Sequence, residues 1–181
     1  MRFTLIALLL ALPFKLAAAS NEKTIQYIFD KHEAECIAEQ YEVLTAKEGE
    51  TPQVTVDLEL DDDNLYEILI DSNGKTATVL HAHFSCTGIG YAWCGTSGCD
   101  SYVIVDGVSY TSRGGKPMSV DVGGWYVVLI PRSGAACHNS LEIGTSNAAP
   151  CYTAAIWDSS ANTFSSYAYN DYVLKISQFE P

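Results

Sequence analysis

Two periods of apolar and polar positions divide the chain into a helical part and a β-rich part. From Thr24 to Leu44, apolar residues recur every three or four positions and charged residues fall largely between them, which is typical of an amphipathic helix. The apolar positions are Ile25, Ile28, Phe29, Cys36, Ile37, Tyr41 and Leu44. Because Cys36 belongs to this apolar stripe, we expect it to face the rest of the protein.

After Gly49 the chain consists of short β-rich segments separated by turn residues. The predicted strands are Val54–Leu58, Tyr66–Ile70, Thr76–His83, Tyr102–Val105, Trp125–Ile130, Tyr152–Trp157, Thr163–Tyr167 and Tyr172–Ile176. Asn73-Gly74 and Asp106-Gly107 predict two-residue hairpin turns, and Asp158 to Asn162 predicts a longer hairpin loop. The pattern predicts an α+β fold in which one N-terminal helix packs on a mainly antiparallel β-sheet or sandwich.

The first 19 residues have the pattern of a cleavable signal peptide. Arg2 supplies the positive charge, Phe3 to Phe14 form an apolar run, and Ala17-Ala18-Ala19 predicts cleavage after Ala19. That run is shorter than the roughly 20 apolar residues of a membrane-spanning helix. We therefore expect a secreted or periplasmic protein without membrane insertion after cleavage. Residues 20–181 then form a single domain, with a helical preface at 20–48 and antiparallel β-structure at 49–181.

The charge balance restricts the classes of partner. The chain carries 10 basic and 22 acidic residues, a net charge of −12. Removal of residues 1–19 takes away Arg2 and Lys15, so the mature charge becomes 8 − 22 = −14. Nucleic acids and anionic membranes attract cationic proteins, so both are disfavoured as partners. An unidentified protein or carbohydrate ligand is the expected partner.

The six cysteines all lie beyond the predicted cleavage point, at Cys36, Cys86, Cys94, Cys99, Cys137 and Cys151. An even number in an oxidising compartment predicts three disulfides, for which 15 pairings are possible. Short loops favour Cys94–Cys99 and Cys137–Cys151, which leaves Cys36–Cys86. The C-x4-C spacing of Cys94 and Cys99 differs from that of redox pairs and common zinc sites, so a closed disulfide loop is the preferred interpretation.

The stretch from Glu59 to Glu67 is a candidate calcium site. Calcium takes six to eight oxygen ligands, and a D-x-D-x-D-G loop directs alternate carboxylates towards one ion. Asp61 and Asp63 match that pattern, Glu59 stands at the first ligand position, Asn64 replaces the turn glycine, and Glu67 closes the set. The alternative is an acidic turn on a solvated surface that joins two strands.

Several of these features together resemble secreted bacterial proteins of unknown function. Those proteins have a helix with one cysteine, a degenerate D-x-D-G-D-G-x-x-D turn, a C-G-T-G-G-C-like cluster and a closing W-D hairpin. The matching segments here are Cys36, Glu59–Ile70, Cys94–Cys99 with Cys86, and Trp157-Asp158 with Phe164. The resemblance implies a fold and no activity. The acidic turn also resembles a single FG-GAP calcium loop.

Two further groups of residues are candidate sites. His81 and His83 would share one face of a strand, the spacing of a two-ligand metal site, but no third ligand is evident, so a solvated strand face is preferred. Aromatic residues crowd the C-terminal part, where an exposed face would suit binding and core packing is the alternative. They are Tyr152, Trp157, Phe164, Tyr167, Tyr169 and Tyr172.

Catalytic signatures are missing from the sequence: it contains no G-x-S-x-G, no H-E-x-x-H and no phosphate-binding glycine loop. We therefore expect a non-catalytic binding or structural domain of the cell envelope. The alternatives are a calcium-binding module that uses residues 59–67 and an envelope hydrolase that uses paired carboxylates.

Overall fold

The computed structural model describes residues 12–45, 62–86, 93–95, 97–132 and 151–167. Helix α1 spans Leu12–Thr45, and a 3₁₀ turn at Asp62–Asn64 precedes the first strand. The described strands are β1 Leu65–Leu69, β2 Thr76–His81, β3 Cys94–Gly95, β4 Gly98–Val105, β5 Val108–Gly114, β6 Met118–Val122, β7 Trp125–Arg132, β8 Cys151–Asp158 and β9 Thr163–Tyr167. The predicted strands 54–58 and 172–176 lie outside the described residues.

The strands form two antiparallel sheets. In the first sheet β1 pairs with β2, β2 with β4, and both β3 and β5 with β4. The second sheet has the order β6-β7-β8-β9. The prediction of one helix packed on antiparallel β-structure is therefore confirmed.

Strands β2 and β4 are buried on both faces because they lie between the helix and the second sheet. Leu80 and Tyr102 point towards α1, where they join a core with Ile28 and Phe84. The alternate residues point the other way into a second core, which both sheets share. Its members include Ala77, Val79, Val103, Val105, Val128, Ile130, Ala155 and Trp157. This double burial explains why β4 ends in a continuous apolar run.

Helix α1 begins at Leu12, well before the predicted start at Thr24. The predicted apolar stripe is partly confirmed: Ile28 and Cys36 are buried and Ile25 and Phe29 pack beside them, but Ile37 is exposed. The side chains of Tyr41 and Leu44 lie outside the described residues. In the part of the chain that the structure describes, no helix has both the length and the apolarity needed to cross a bilayer. The signal-peptide assignment stays a prediction.

Two predicted disulfides are confirmed. Cys36–Cys86 joins α1 to the segment after β2, and Cys94–Cys99 joins β3 to β4. Cys151 is also disulfide-bonded. Cys137, its predicted partner, lies outside the described residues.

Three hydrogen bonds attach α1 to the first sheet: one to β2 and two to the Asp106-Gly107 turn between β4 and β5. Asn21 Nδ2 donates to Thr78 Oγ1 (3.1 Å), and Asn21 Oδ1 accepts from the Gly107 amide (2.9 Å). Thr24 Oγ1 donates to the Gly107 carbonyl (3.0 Å). Asp106 and Gly107 both have positive φ, 52° and 85°, as the predicted two-residue hairpin requires. Cleavage after Ala19 would retain this attachment, because Asn21 is the second residue of the mature chain.

We expect Asn21→Ala to lower the free energy of unfolding by about 1 to 2 kcal/mol, because it leaves the Gly107 amide and Thr78 hydroxyl without their partner. Urea unfolding of the mature protein measures the change. Glu22→Ala is the matched control, since Glu22 is exposed on the same turn of the helix. Equal stability of the two variants would show that Asn21 does not hold the helix to the turn.

Candidate functional site

The structure describes only part of the predicted calcium loop. Glu59 and Asp61 lie outside the described residues. Asp63 lies in the 3₁₀ turn with an exposed side chain, and Glu67 is exposed on β1. The carbonyl of Asp63 accepts a hydrogen bond from Lys116 Nζ (2.9 Å), so a cation already lies beside this turn. Calcium binding by the acidic turn stays a prediction.

Asn64 stands where a D-x-D-G loop has a turn glycine with positive φ, but it does not adopt that conformation. Its φ is not positive, because the only non-glycine residues with positive φ in the described ranges are Asp106 and Asn162. Instead, Asn64 ends the 3₁₀ turn and its side chain is buried. The chain therefore enters β1 without the sharp left-handed turn of a D-x-D-G loop.

The two histidines do not form a pair on one strand face. Strand β2 ends at His81, and the amide of His83 donates to the carbonyl of His81 (2.7 Å), which turns the chain. The His81 ring is buried and its Nδ1 shares a hydrogen bond with Ser101 Oγ (2.7 Å), whereas His83 is exposed. Burial, with the nearby positive charge of Lys116, lowers the pKa of His81 to about 4.

His83 instead lies next to the Cys94–Cys99 disulfide. The ligand atoms of His83, Cys94 and Cys99 are within 4.8 Å of one another, and they make up the one group of three potential metal ligands among the described residues. Cys94 and Cys99 form a disulfide with each other. A disulfide sulfur lacks the thiolate charge with which cysteine binds a metal. In the oxidised protein this group is a disulfide with a neighbouring imidazole.

A buried polar network, which the sequence pattern did not predict, surrounds His32. His32 Nε2 is 2.7 Å from the Tyr102 hydroxyl, and its Nδ1 is 3.1 Å from Glu35 Oε2. The Trp93 indole donates to the same carboxylate oxygen (3.0 Å). The rings of Phe84, Trp93 and Tyr102 surround the imidazole. The spacing of Ile28, His32 and Cys36 at intervals of four was the available signal, since it puts all three on one helix face.

Protonation in this network follows from burial. Burial raises the pKa of Tyr102 to about 12, with help from the charges of Asp100 and Glu35, so the phenol keeps its proton. Burial also lowers the pKa of His32, although Glu35 opposes the shift. Burial tends to raise the pKa of Glu35, but the Trp93 and His32 contacts outweigh it and hold that pKa below its usual value. The consistent arrangement is Tyr102 O–H donating to Nε2 and Nδ1–H donating to Glu35.

A hydroxyl, an imidazole and a carboxylate in sequence form a possible proton relay, but the burial of this one decides its role. Tyr102 and His32 are both buried between helix and sheet, so neither reacting atom is open to a substrate. The network joins α1 to β4 and satisfies polar atoms inside the first core. We interpret it as structural.

The C-terminal aromatic residues do not form one exposed face. Trp157 and Phe164 contact each other in the second core, with ring centroids 4.8 Å apart, and Tyr110 packs against Phe164. Tyr152 alone of the predicted set is exposed in the described residues. The side chain of Tyr167 and the whole of Tyr169 and Tyr172 lie outside them.

An apolar surface occurs elsewhere, on the side of the second sheet that faces away from the core. The pairing register puts alternate residues of β6, β7 and β8 on this outer face. On β6, on β7 and on β8 as far as Ile156, all of these outer-face residues are apolar or aromatic. They are Met118, Val120, Val122, Trp125, Val127, Leu129, Pro131, Tyr152, Ala154 and Ile156. Five of these side chains are exposed, Trp125 most of all at 70%, whereas Ala154 is buried. The other four are half-buried: Val127, Leu129, Pro131 and Ile156. We call this surface the outer face.

The outer face was not predicted from the sequence because β6 is not among the predicted strands. The segment Met118-Ser119-Val120-Asp121-Val122 alternates apolar and polar residues, which is the signal of a strand, but it is short and flanked by Pro117 and Gly123-Gly124. The glycines have φ of 64° and 90° and form the two-residue turn into β7.

No family model, curated protein or solved structure matches this chain. The resemblance to secreted bacterial proteins therefore stays an expectation.

Proposed function

We propose that this protein is a secreted or periplasmic, non-catalytic module of β-sandwich type that binds another polypeptide through its outer face. The observation that carries the proposal is the unbroken apolar character of that face along β6, β7 and residues 152–156 of β8. Its most exposed part consists of Met118, Val120 and Val122 on β6 and the neighbouring Trp125. Scattered exposed apolar residues are ordinary, but a cluster of them that includes a highly exposed tryptophan is typical of an interaction surface.

The composition of the outer face favours a polypeptide over a carbohydrate. Most of its positions are aliphatic, with Trp125 and Tyr152 as its aromatic members. Rows of Val, Leu and Met side chains complement apolar side chains, whereas a sugar needs polar groups for its hydroxyls. The disulfides accord with an extracytoplasmic location, where such bonds persist. The buried position of the His32–Tyr102 pair supports a role without catalysis.

Site-specific photo-crosslinking in the host organism tests this function. We expect a benzophenone amino acid at Val127, in the middle of the outer face, to yield a covalent adduct with a polypeptide. The same amino acid at Tyr27, which is 69% exposed on α1, is the matched control and should yield none. Trp125→Glu, which puts a charge on the face without disturbing the core, should abolish the Val127 adduct. Absence of an adduct from Val127, or equal adducts from both positions, would overturn the proposal.

A further inference from the structure

The Cys94–Cys99 disulfide is more accessible than Cys36–Cys86. Cys36 and Cys86 are almost fully buried in the first core, so a reductant in solution cannot reach their sulfur atoms without opening the fold. Cys94 is only half-buried and lies on the two-residue strand β3. A thiolate attacks a disulfide at a sulfur atom that it can reach. Of these two disulfides, Cys94–Cys99 is therefore the one that a reducing dithiol opens first.

The fold around this disulfide is held by other bonds. The disulfide closes a loop of only five residue steps, so breaking it releases little chain. The Asp100 amide donates to the Trp93 carbonyl (3.3 Å), which keeps β3 on β4, and the Ala82 amide donates to the Asp100 carbonyl (2.7 Å). Strand β4 also pairs with β5 as far as Cys99. We therefore expect reduction to leave both cysteines and the chain at residue 82 in place.

An imidazole lies beside the two sulfur atoms. A ring nitrogen of His83 and the sulfur atoms of Cys94 and Cys99 lie within 4.8 Å of one another. Cys94 Sγ is also 3.6 Å from the carbonyl oxygen of Ala82, the residue before His83. In a tetrahedral zinc site, bonds of about 2.3 Å to sulfur and about 2.1 Å to nitrogen place the ligand atoms roughly 3.5 to 3.8 Å apart. Once the bond between them is broken, the sulfur atoms have to separate by only about 2 Å to reach that spacing.

We infer that the reduced protein binds one zinc ion through the thiolates of Cys94 and Cys99 and the imidazole of His83, and that the disulfide closes this site in the oxidised protein. Zinc prefers thiolate and imidazole ligands in a tetrahedral arrangement. Because the His83 ring is exposed and Cys94 is half-buried, the ion is open to solvent and water completes its fourth position. This site is separate from the polypeptide binding proposed for the outer face.

Electrons and protons balance through thiol–disulfide exchange with a dithiol. One thiolate of the dithiol attacks Cys94 Sγ, the S–S bond breaks, and Cys99 leaves as a thiolate. The second thiolate of the dithiol attacks the mixed disulfide, forms the reductant's own disulfide and releases Cys94 as a thiolate. The protein gains two electrons, the two protons of the dithiol pass to solvent, and zinc binds the two thiolates. Excess oxidised dithiol reverses the exchange and releases the ion.

Cobalt(II) binding tests the site. Thiolate ligands give cobalt a charge-transfer band in the near ultraviolet, and tetrahedral coordination gives it strong visible absorption. After mild reduction and removal of the dithiol, we expect the protein to bind one cobalt ion with both signals, and zinc to displace the cobalt because it binds such sites more tightly. The oxidised protein carries the same acidic surface and should show neither signal, so it is the control for adventitious binding by carboxylates.

Two variants test the ligand set. His83→Asn, which keeps both thiols, should weaken cobalt binding by at least about 100-fold, because loss of a residue that merely supports a metal ligand already costs roughly 10- to 100-fold. Cys94→Ser/Cys99→Ser, treated with the same reductant, should show no thiolate band and so controls for the remaining cysteines. Alkylation followed by mass spectrometry identifies the reduced cysteines in each sample, and circular dichroism checks the fold.

Four outcomes would overturn the inference. The first is the absence of the thiolate band from folded protein in which Cys94 and Cys99 are both reduced. The second is equal cobalt affinity of His83→Asn and wild type, and the third is the same band in Cys94→Ser/Cys99→Ser. The fourth is a Cys94–Cys99 bond that opens only when the fold is lost. The crosslink from Val127 depends on none of these results, so the proposed function is tested separately.

Discussion

Removing the Cys36–Cys86 disulfide should lower the free energy of unfolding by about 4 kcal/mol, from the loop-closure entropy of a crosslink over this many residues. The bridge connects residues 50 apart in sequence, and both sulfur atoms lie in the first core, with Cys36 and Cys86 almost fully buried. Without it, the unfolded chain gains the freedom to separate the helix from the first sheet. For a domain of this size the loss corresponds to a fall in melting temperature of roughly 8 to 16 °C.

The second described disulfide supplies a matched control. Cys94–Cys99 closes a loop of only five residue steps, for which the same relation gives about 2 kcal/mol. Calorimetry of Cys36→Ala/Cys86→Ala beside Cys94→Ala/Cys99→Ala, with the other cysteines intact, should therefore show the first variant melting well below the second. Equal melting temperatures would mean that loop length does not determine how much each disulfide contributes to stability.

Local signals predicted the parts of the fold where neighbouring residues decide the conformation. The Asp106-Gly107 hairpin forms as predicted because those two residue types accept positive φ at low cost. Strand β9 has the predicted bounds, since the Asp158–Asn162 loop ends where alternation begins. Pairing of Cys94 with Cys99 followed from a short loop in the same way.

Features that depend on residues far apart in the sequence could not be predicted from local sequence patterns. Strand β4 begins at Gly98, not at Tyr102, because its polar first half is held by pairing with β3 and β5. His32 lies on the buried face of α1 although it is polar. Its burial is explained by the hydrogen bond to Tyr102, which is 70 positions away in the sequence. The outer face exists because three strands far apart in sequence align their alternate residues.

Acidification should destabilise the protein through His81. Its pKa is about 4 in the folded protein and about 6.5 in the unfolded chain, because burial against Ser101 excludes the charged ring. The unfolded chain therefore takes up the proton first as pH falls. Stability from the neutral ring is complete above pH 6.5 and declines as pH falls towards 4, by about 3 kcal/mol in total. His32 shifts in the same direction, so it adds to the loss.

A single substitution at His81 isolates the contribution of this ring to the acid dependence of stability. His81→Asn keeps an amide near the Nδ1 position, able to bond Ser101, but does not titrate. We expect the difference in unfolding free energy between pH 7 and pH 4 to be about 3 kcal/mol smaller in His81→Asn than in wild type, measured by urea unfolding at both pH values. The same dependence in His81→Asn would mean that the folded protein accommodates a charged ring beside Ser101, and the buried end of β2 would then have to admit water.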